Sequence, residues 1–196
     1  MKSSDVAELH YITPIANVQS ILKLGIVSHN QAAKIKHSSV AMQEIQDRRS
    51  KVVVPGGKPL HDYVNLYFTA RNPMMYKRHA SHSDLCILRI STEVLQISGI
   101  VITDQNASSK YVRFGSYPDA FEWLDKERLF AESWQHEDTV EQWRHTSLKC
   151  AEVLVPYRVP PELILGGYVS CQTNVQLLLN LFPTNGVILN PDLFFQ

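Results

Sequence analysis

Cysteine is scarce: three residues among 196, Cys86, Cys150 and Cys171, odd in number and far apart. No CxxC occurs, so neither a disulfide framework nor a zinc ribbon is indicated, and a reducing, cytoplasmic setting fits best. No run of 18 or more apolar residues occurs, which argues against a membrane-spanning helix. The opening residues Met1-Lys2-Ser3-Ser4-Asp5 lack the apolar stretch of a signal peptide. Glycine signatures are missing as well. There is no GxGxxG after a strand and no GxxxxGKS/T, so a dinucleotide held here does not sit in a Rossmann crevice or on a P-loop. There is no GxSxG nucleophile elbow. His79, His82, Asp84 and Cys86 cluster in sequence, but their spacing matches no zinc pattern, and no metal is expected.

Net charge is also missing, with 19 Lys and Arg against 19 Asp and Glu, yet the balance is uneven along the chain. Residues 1–113 hold 14 bases against 8 acids, a balance of +6, and residues 114–196 hold 5 against 11, a balance of −6. A basic half attracts phosphates even when the sum is neutral. The competing reading is that the two halves intermix in space.

What is present reads as a mixed chain of short elements. Leu9 to Ile12 is a short buried strand, and Thr13-Pro14 reads as a helix start, with Thr as N-cap and Pro at the first helical position. Ile15, Val18, Ile21 and Leu22 continue at helical spacing, and Gly25 is placed to end the helix. Residues 28–51 are polar, helical or loop, and carry Lys34, Lys36, Arg48, Arg49 and Lys51. A turn-rich Pro55-Gly56-Gly57-Lys58-Pro59 precedes a strand over Tyr63 to Thr69. Asn72-Pro73 restarts a helix. Leu85–Ile90, Ile100–Thr103, Ala151–Val155, Ile164–Ser170 and Gly186–Leu189 read as strands, and Pro118–Trp134, Thr139–Leu148 and Thr173–Phe182 as helices. Few clean βαβ alternations appear, which argues for an α+β fold, and no interior linker divides residues 1–196, read as one domain.

Three stretches carry candidate chemistry. Glu152 sits inside the apolar run Cys150-Ala151-Glu152-Val153-Leu154-Val155, where a carboxylate is costly unless paired or facing a cleft. The bland reading is an outward-facing acid on an edge strand. Arg48-Arg49-Ser50-Lys51 ends a helical stretch, where cations suit the C-terminal dipole, or contacts a phosphate or base with its guanidinium fork. The segment Leu60 to Tyr76 is dense in aromatics and methionine. Core packing explains most of it, but aromatic faces beside Arg71, Lys77 and Arg78 also suit stacking on nicotinamide or a base.

Taken in order, these stretches resemble the DarT family, DNA ADP-ribosyltransferase toxins of toxin–antitoxin pairs. The resemblance rests on Tyr11-Ile12-Thr13-x-x-x-Asn17-x-x-x-Ile21-Leu22-x-x-Gly25 at the start and Ala151-Glu152-Val153-Leu154-Val155 near the end. Between them lies Arg49…Gly56-Gly57…Leu60-His61-Asp62-Tyr63-Val64-x-x-Tyr67-Phe68-x-x-Arg71-x-Pro73-Met74. Asp104-x-Asn106-Ala107 and Phe130-Ala131-x-x-Trp134 fit some members. The match runs from about residue 9 to residue 182. It implies an ADP-ribosyltransferase-like fold, with two small antiparallel or mixed sheets and peripheral helices around an NAD cleft. It also implies NAD as co-substrate, single-stranded DNA as acceptor and a separate macrodomain antitoxin as partner.

By the same resemblance, Glu152 is the catalytic glutamate and Arg49 the active-site arginine, with Arg48 open as the alternative because the two are adjacent. Thr13, Asn17, Tyr67 and Met74 fall at NAD-binding positions. Many members carry a histidine six residues before the asparagine. Here that position is Tyr11, with His10 one residue earlier, and both stay open. Lys34, Lys36, Arg48 and Lys51 are candidates to track the strand. The mechanism implied is cleavage of the ribose–nicotinamide bond through an oxocarbenium-like sugar stabilised by Glu152, followed by attack of a base nitrogen. Competing readings are an RNA or protein acceptor, and a catalytically silent NAD- or nucleic-acid-binding module.

Overall fold

The computed structural model describes residues 1–39, 41–182 and 186–196. Strand β1 (Leu9–Pro14) leads through a 3-10 turn at Ile15–Asn17 into helix α1 (Val18–Leu24). Strand β2 (Ile26–Val27), helices α2 (His29–Ala32) and α3 (Gln43–Arg49), strand β3 (Tyr63–Tyr67) and helix α4 (Pro73–Tyr76) follow. Next come β4 (Leu85–Ile90), β5 (Val101–Thr103), β6 (Phe114–Ser116), α5 (Lys126–Phe130) and α6 (Thr139–Leu148). The chain continues through β7 (Glu152–Pro156), β8 (Arg158–Val159), β9 (Ile164–Val169), α7 (Gln172–Leu179) and β10 (Val187–Leu189).

The strands form an eight-stranded sheet in the order β10-β9-β4-β1-β3-β7-β5-β6 and a two-stranded sheet β2-β8. The large sheet is mixed, since β10 and β9 run parallel and the other pairs antiparallel. It is also nearly two sheets. β1 pairs with β4 at six positions and β3 with β7 at five, but β1 meets β3 at one described pair, His10↔Tyr67. The α+β class is as expected, but in place of two small sheets there is one large mixed sheet and one two-stranded sheet, the large one divided into two half-sheets where β1 and β3 share a single described pair. One face packs Leu9, Leu66, Leu88, Ile102 and Val153 against Phe121 and Leu178, and the other packs Ile12, Ile87 and Met75 around Phe194.

Two local expectations are corrected. Thr13-Pro14 does not begin a helix. Both residues extend β1, pairing with Cys86 and Leu85, and the α-helix is delayed to Val18. The available edge of β4 outweighs a local cap signal. Pro118–Trp134 is not one helix: a 3-10 turn at Asp119–Trp123 ends in extended Leu124, and Asp125 restarts α5 by accepting a hydrogen bond from the Arg128 N–H. Other signals read as expected. Gly25 ends α1 at φ 82°, where a Cβ would collide with the Val159 carbonyl. Asn72 caps α4 by accepting from the Met75 N–H, with Pro73 at the first helical position.

Candidate active site

Where β1 and β3 part, a cleft of about 390 Å³ opens between the half-sheets. Tyr11 to Thr13 line it from one edge and Tyr63 to Asn65 from the other, with α1, α3 and the α2–α3 connection completing its walls. The volume falls in the range of small-molecule sites.

Glu152 opens β7, flanked by β3 and β5, and stands opposite Tyr67 on one side and Thr103 on the other. It has no solvent exposure. Thr103 fixes its backbone, since the Thr103 hydroxyl accepts from the Glu152 N–H at 3.1 Å and donates to the Gln105 carbonyl at 2.7 Å. Four contacts hold its carboxylate. Nη1 of Arg49 donates to Oε1 at 3.1 Å and Oε2 at 3.0 Å, Asn106 Nδ2 donates to Oε1 at 3.2 Å, and the Ala107 N–H donates to Oε2 at 3.3 Å. Burial pushes the carboxyl pKa up, and the Arg49 guanidinium and the Ala107 N–H oppose that rise.

Arg49, the last residue of α3, is 5% exposed and lines the cleft, so it stands between Glu152 and the open volume. Its pair with Glu152 uses Nη1 alone among the described residues. Beside it on the cleft wall, His29 and His61 stack with ring centroids 4.1 Å apart. Burial lowers both imidazole pKa values, and Arg49 adds to the effect. Tyr67 is buried where β1 and β3 pair, and burial followed by the charge of Glu152 holds its hydroxyl well above the usual phenol pKa, so it stays neutral. A buried arginine–carboxylate pair at the base of a cleft of small-molecule size is a preorganised charge pattern, suited to stabilising a cation that forms only during reaction.

A family model described as "ssDNA thymidine ADP-ribosyltransferase, DarT" matches residues 10–195. The chain belongs to the DarT family. A DNA ADP-ribosyl transferase of Thermus aquaticus is 30% identical over 189 residues, covering 89% of this chain and 82% of that one. A DNA ADP-ribosyl transferase-DNA ADP-ribosyl glycohydrolase fusion protein of Thermosipho africanus is 32% identical over 174 residues, which is 83% of this chain. The match spans 42% of that fusion's length. A solved structure of Thermus sp. 2.9 DarT in complex with ADP-ribosylated ssDNA superposes with a TM-score of 0.82 at 28% identity, covering 99% of each chain.

Most residues singled out from the DarT resemblance meet at the cleft. Tyr11, Thr13, Asn17, Arg48, Arg49, Tyr67 and Met74 line it, and Glu152 lies beneath Arg49. The two adjacent arginines divide: Arg49 is buried on Glu152, while Arg48 is exposed at the rim. Tyr11 and His10 divide too. His10 turns away from the cleft, its Nε2 3.3 Å from Glu8 and its ring 6.2 Å from Tyr168. Although burial works against it, hydrogen bonds from His10, Tyr168 and Arg89 bring the Glu8 carboxyl down to about 2. Lys34, Lys36 and Lys51 are exposed and do not line the cleft.

Asn17 is already occupied. Its Nδ2 donates to Thr13 Oγ1 at 3.3 Å and the Ser38 carbonyl at 2.7 Å, and its Oδ1 accepts from the Ser38 N–H at 3.0 Å. Sequence reasoning gave no role to Asn106, Thr103, His29 or Ser38. The adjacency of Asn106-Ala107 to the family pattern was the one signal available for the first. The others are brought in by pairing and by side-chain contacts that no local motif encodes. The histidines of the unrecognised metal spacing bond elsewhere, His82 with Ser170 Oγ at 2.8 Å and His79 with the Tyr76 carbonyl at 2.6 Å. Among the described residues, no three His, Cys, Asp or Glu side chains converge as a metal site, and no helix is long and apolar enough to cross a membrane.

Proposed function

We propose that this DarT-family chain acts as one NAD-dependent mono-ADP-ribosyltransferase domain that modifies a thymidine base of single-stranded DNA. The observation that carries the reading is the buried Arg49–Glu152 pair beneath the cleft, with Asn106 and Ala107 fixing the carboxylate. NAD⁺ is a substrate, lying in the cleft with its nicotinamide ribose toward Glu152. The bond from the ribose anomeric carbon to nicotinamide breaks, and nicotinamide leaves with the bonding pair. The carboxylate of Glu152 stabilises the oxocarbenium-like sugar, as carboxylates do in glycoside cleavage. A ring nitrogen of the base then bonds to the anomeric carbon, and its proton passes to solvent water. Arg49 needs only Nη1 to keep Glu152 in place, so its remaining N–H groups serve the NAD⁺ phosphates or the base carbonyl. Tyr11, Thr13, Tyr67 and Met74 form the walls around the dinucleotide, and Asn17 acts through the segment it holds. Glu152 has no solvent exposure and its carboxylate is paired with Arg49, so productive binding draws the guanidinium partly aside.

A base nitrogen is inaccessible inside a duplex, hence a single-stranded acceptor. A transferase of this kind is toxic in a cell that holds NAD⁺ and DNA together. We therefore assign it to the cytoplasm, restrained by a macrodomain glycohydrolase as antitoxin. The Thermosipho africanus relative, named as a transferase–glycohydrolase fusion, supports that pairing. The scheme requires no metal.

The test is incubation with NAD⁺ and single-stranded or duplex oligonucleotides, read by mass spectrometry. The expected result is an ADP-ribose increment on thymidine in single strands only, absent with Glu152→Gln. Nicotinamide release without any DNA increment would move the acceptor to RNA or protein. No release at all would make the chain a silent binding module.

A further inference from the structure

The segment after the cleft-lining Met74 carries an aromatic surface that the transfer reaction leaves unused. Tyr76, the last residue of α4, is 50% exposed. Its ring stacks on His79 with centroids 5.4 Å apart and planes 19° from parallel. Two edge-on partners brace it, Trp134 at 6.1 Å and Phe195 at 5.2 Å, and these two rings also meet each other at 5.8 Å. Arg71 lies 4.2 Å above the Phe195 ring and is tied to the carbonyls of Glu132 and Asp192. The hydrogen bond between His79 Nδ1 and the Tyr76 carbonyl fixes the imidazole. Three aromatic side chains therefore hold the Tyr76 ring, and the residue is still 50% exposed. Its neighbours in sequence, Lys77 and Arg78, line the cleft rim. Met74, Lys77 and Tyr76 thus run from inside the cleft to the outer surface within one turn of chain.

Aromatic faces interleaved with cations at the mouth of a site that takes one base have a specific use. Single-stranded nucleic acid binds by stacking bases on such rings while cations follow the phosphates. We propose that Tyr76, stacked on His79, is the platform for a base adjacent to the target thymidine, with Lys77 contacting the phosphate between them. The occupant is single-stranded DNA, and the proposal rests on the transferase reading above. The charge argues for this occupant, because Lys77 and Arg78, next to Tyr76 in the chain, line the cleft, and Arg71 lies over the Phe195 ring that meets Tyr76.

The experiment measures oligonucleotide binding to wild type, Tyr76→Ala, Tyr76→Phe and Lys77→Ala by fluorescence anisotropy. The probe is a short DNA with one thymidine, prepared intact and with each flanking nucleotide made abasic in turn. Tyr76→Ala is expected to weaken binding to the intact strand roughly 5- to 100-fold, and Tyr76→Phe, which keeps the ring, to bind as wild type does. Wild type and Tyr76→Ala should bind equally once one particular flanking base is absent. Lys77→Ala should reduce the slope of log affinity against log salt by about 0.7. NAD⁺ affinity on the same samples reports whether the cleft is intact. The proposal is overturned if Tyr76→Ala binds the intact strand like wild type, or if its loss persists at every abasic position. A wild-type protein that modifies no DNA overturns the transferase reading instead, so the two failures are distinguishable.

Discussion

A carboxylate without solvent must either hold a proton or hold a cation. Glu152 holds Arg49, and its two remaining contacts, from Asn106 and Ala107, favour the ionised form as well. Glu152→Gln keeps the shape and removes the charge. It should fold and bind NAD⁺ but lower nicotinamide release by about 100- to 1,000-fold, measured as single-turnover rate. Wild-type turnover by that variant would remove Glu152 from the chemistry. Arg49→Met tests the other half of the pair. Removing one partner of a buried ion pair costs about 3–5 kcal/mol at neutral pH, which for a chain of this size lowers Tm by on the order of 10 °C. The loss should depend on pH in a fixed direction. With Arg49 gone, burial dominates and raises the Glu152 pKa further above its usual 4.5. The folded state then keeps a proton that the unfolded chain has already released, so stability is greatest below about pH 4.5 and falls as pH rises through the raised pKa. Thermal melts of Arg49→Met between pH 4.5 and 7.5 should diverge downward from wild type as pH rises. A constant gap would mean that the carboxylate finds another cation.

Between α2 and α3, His37, Ser38 and Ser39 line the cleft, and Asn17 grips the Ser38 backbone by both its N–H and its carbonyl. The asparagine had been placed at an NAD position by resemblance alone. The structure shows its amide bonded to the Ser38 backbone, which fastens one cleft wall to the start of α1. Asn17→Ala should accelerate amide exchange of residues 34–39 in the absence of NAD⁺ and weaken NAD⁺ binding on the order of 10-fold, equivalent to about one hydrogen bond net of water. Unchanged exchange with weakened binding would instead make Asn17 a direct contact. At the far edge of the sheet, Gly166 has φ 148° and lies against the Gly186 carbonyl, where a Cβ has no room. Gly166→Ala should therefore destabilise by roughly 1–3 kcal/mol without altering the cleft, as read by Tm and NAD⁺ affinity together. Elements of this kind were legible where the signal was local. The caps at Asn72 and Gly25, the helix over Thr139–Leu148 and the strand around Glu152 were all readable. The strands Ile26–Val27, Phe114–Ser116 and Arg158–Val159 were not, because two or three residues carry no period and exist only through their partners.

At the scale of the molecule, the cleft is a consequence of incomplete pairing. In an antiparallel ladder alternate N–H groups point to opposite sides of a strand. Among the described residues β1 and β3 pair only at His10↔Tyr67, and beyond it Tyr11 to Thr13 and Tyr63 to Asn65 line the cleft. Sequence could name both edges, through Tyr11-Ile12-Thr13 and Tyr63-Val64-Asn65, but not that they fail to meet. Separation between strands depends on the turns and helices wedged between them, and no single motif encodes it. The charge split along the chain, +6 against −6, was similarly ambiguous, and Arg49 reaching Glu152 across it shows the halves joined at the site. A ligand filling the gap should behave as a tie between the half-sheets. At a hundredfold excess over its Kd, NAD⁺ stabilises the fold by about 2.7 kcal/mol, which corresponds to a Tm rise of roughly 5–10 °C for a chain of this length. Linkage alone gives that rise wherever the ligand binds, so the decisive measurement is its distribution. Amide exchange should slow on both open edges, Tyr11 to Thr13 and Tyr63 to Asn65, at the same NAD⁺ concentration. Protection of one edge alone would mean that the dinucleotide lies on a single half-sheet and that the gap between the two has no part in binding it.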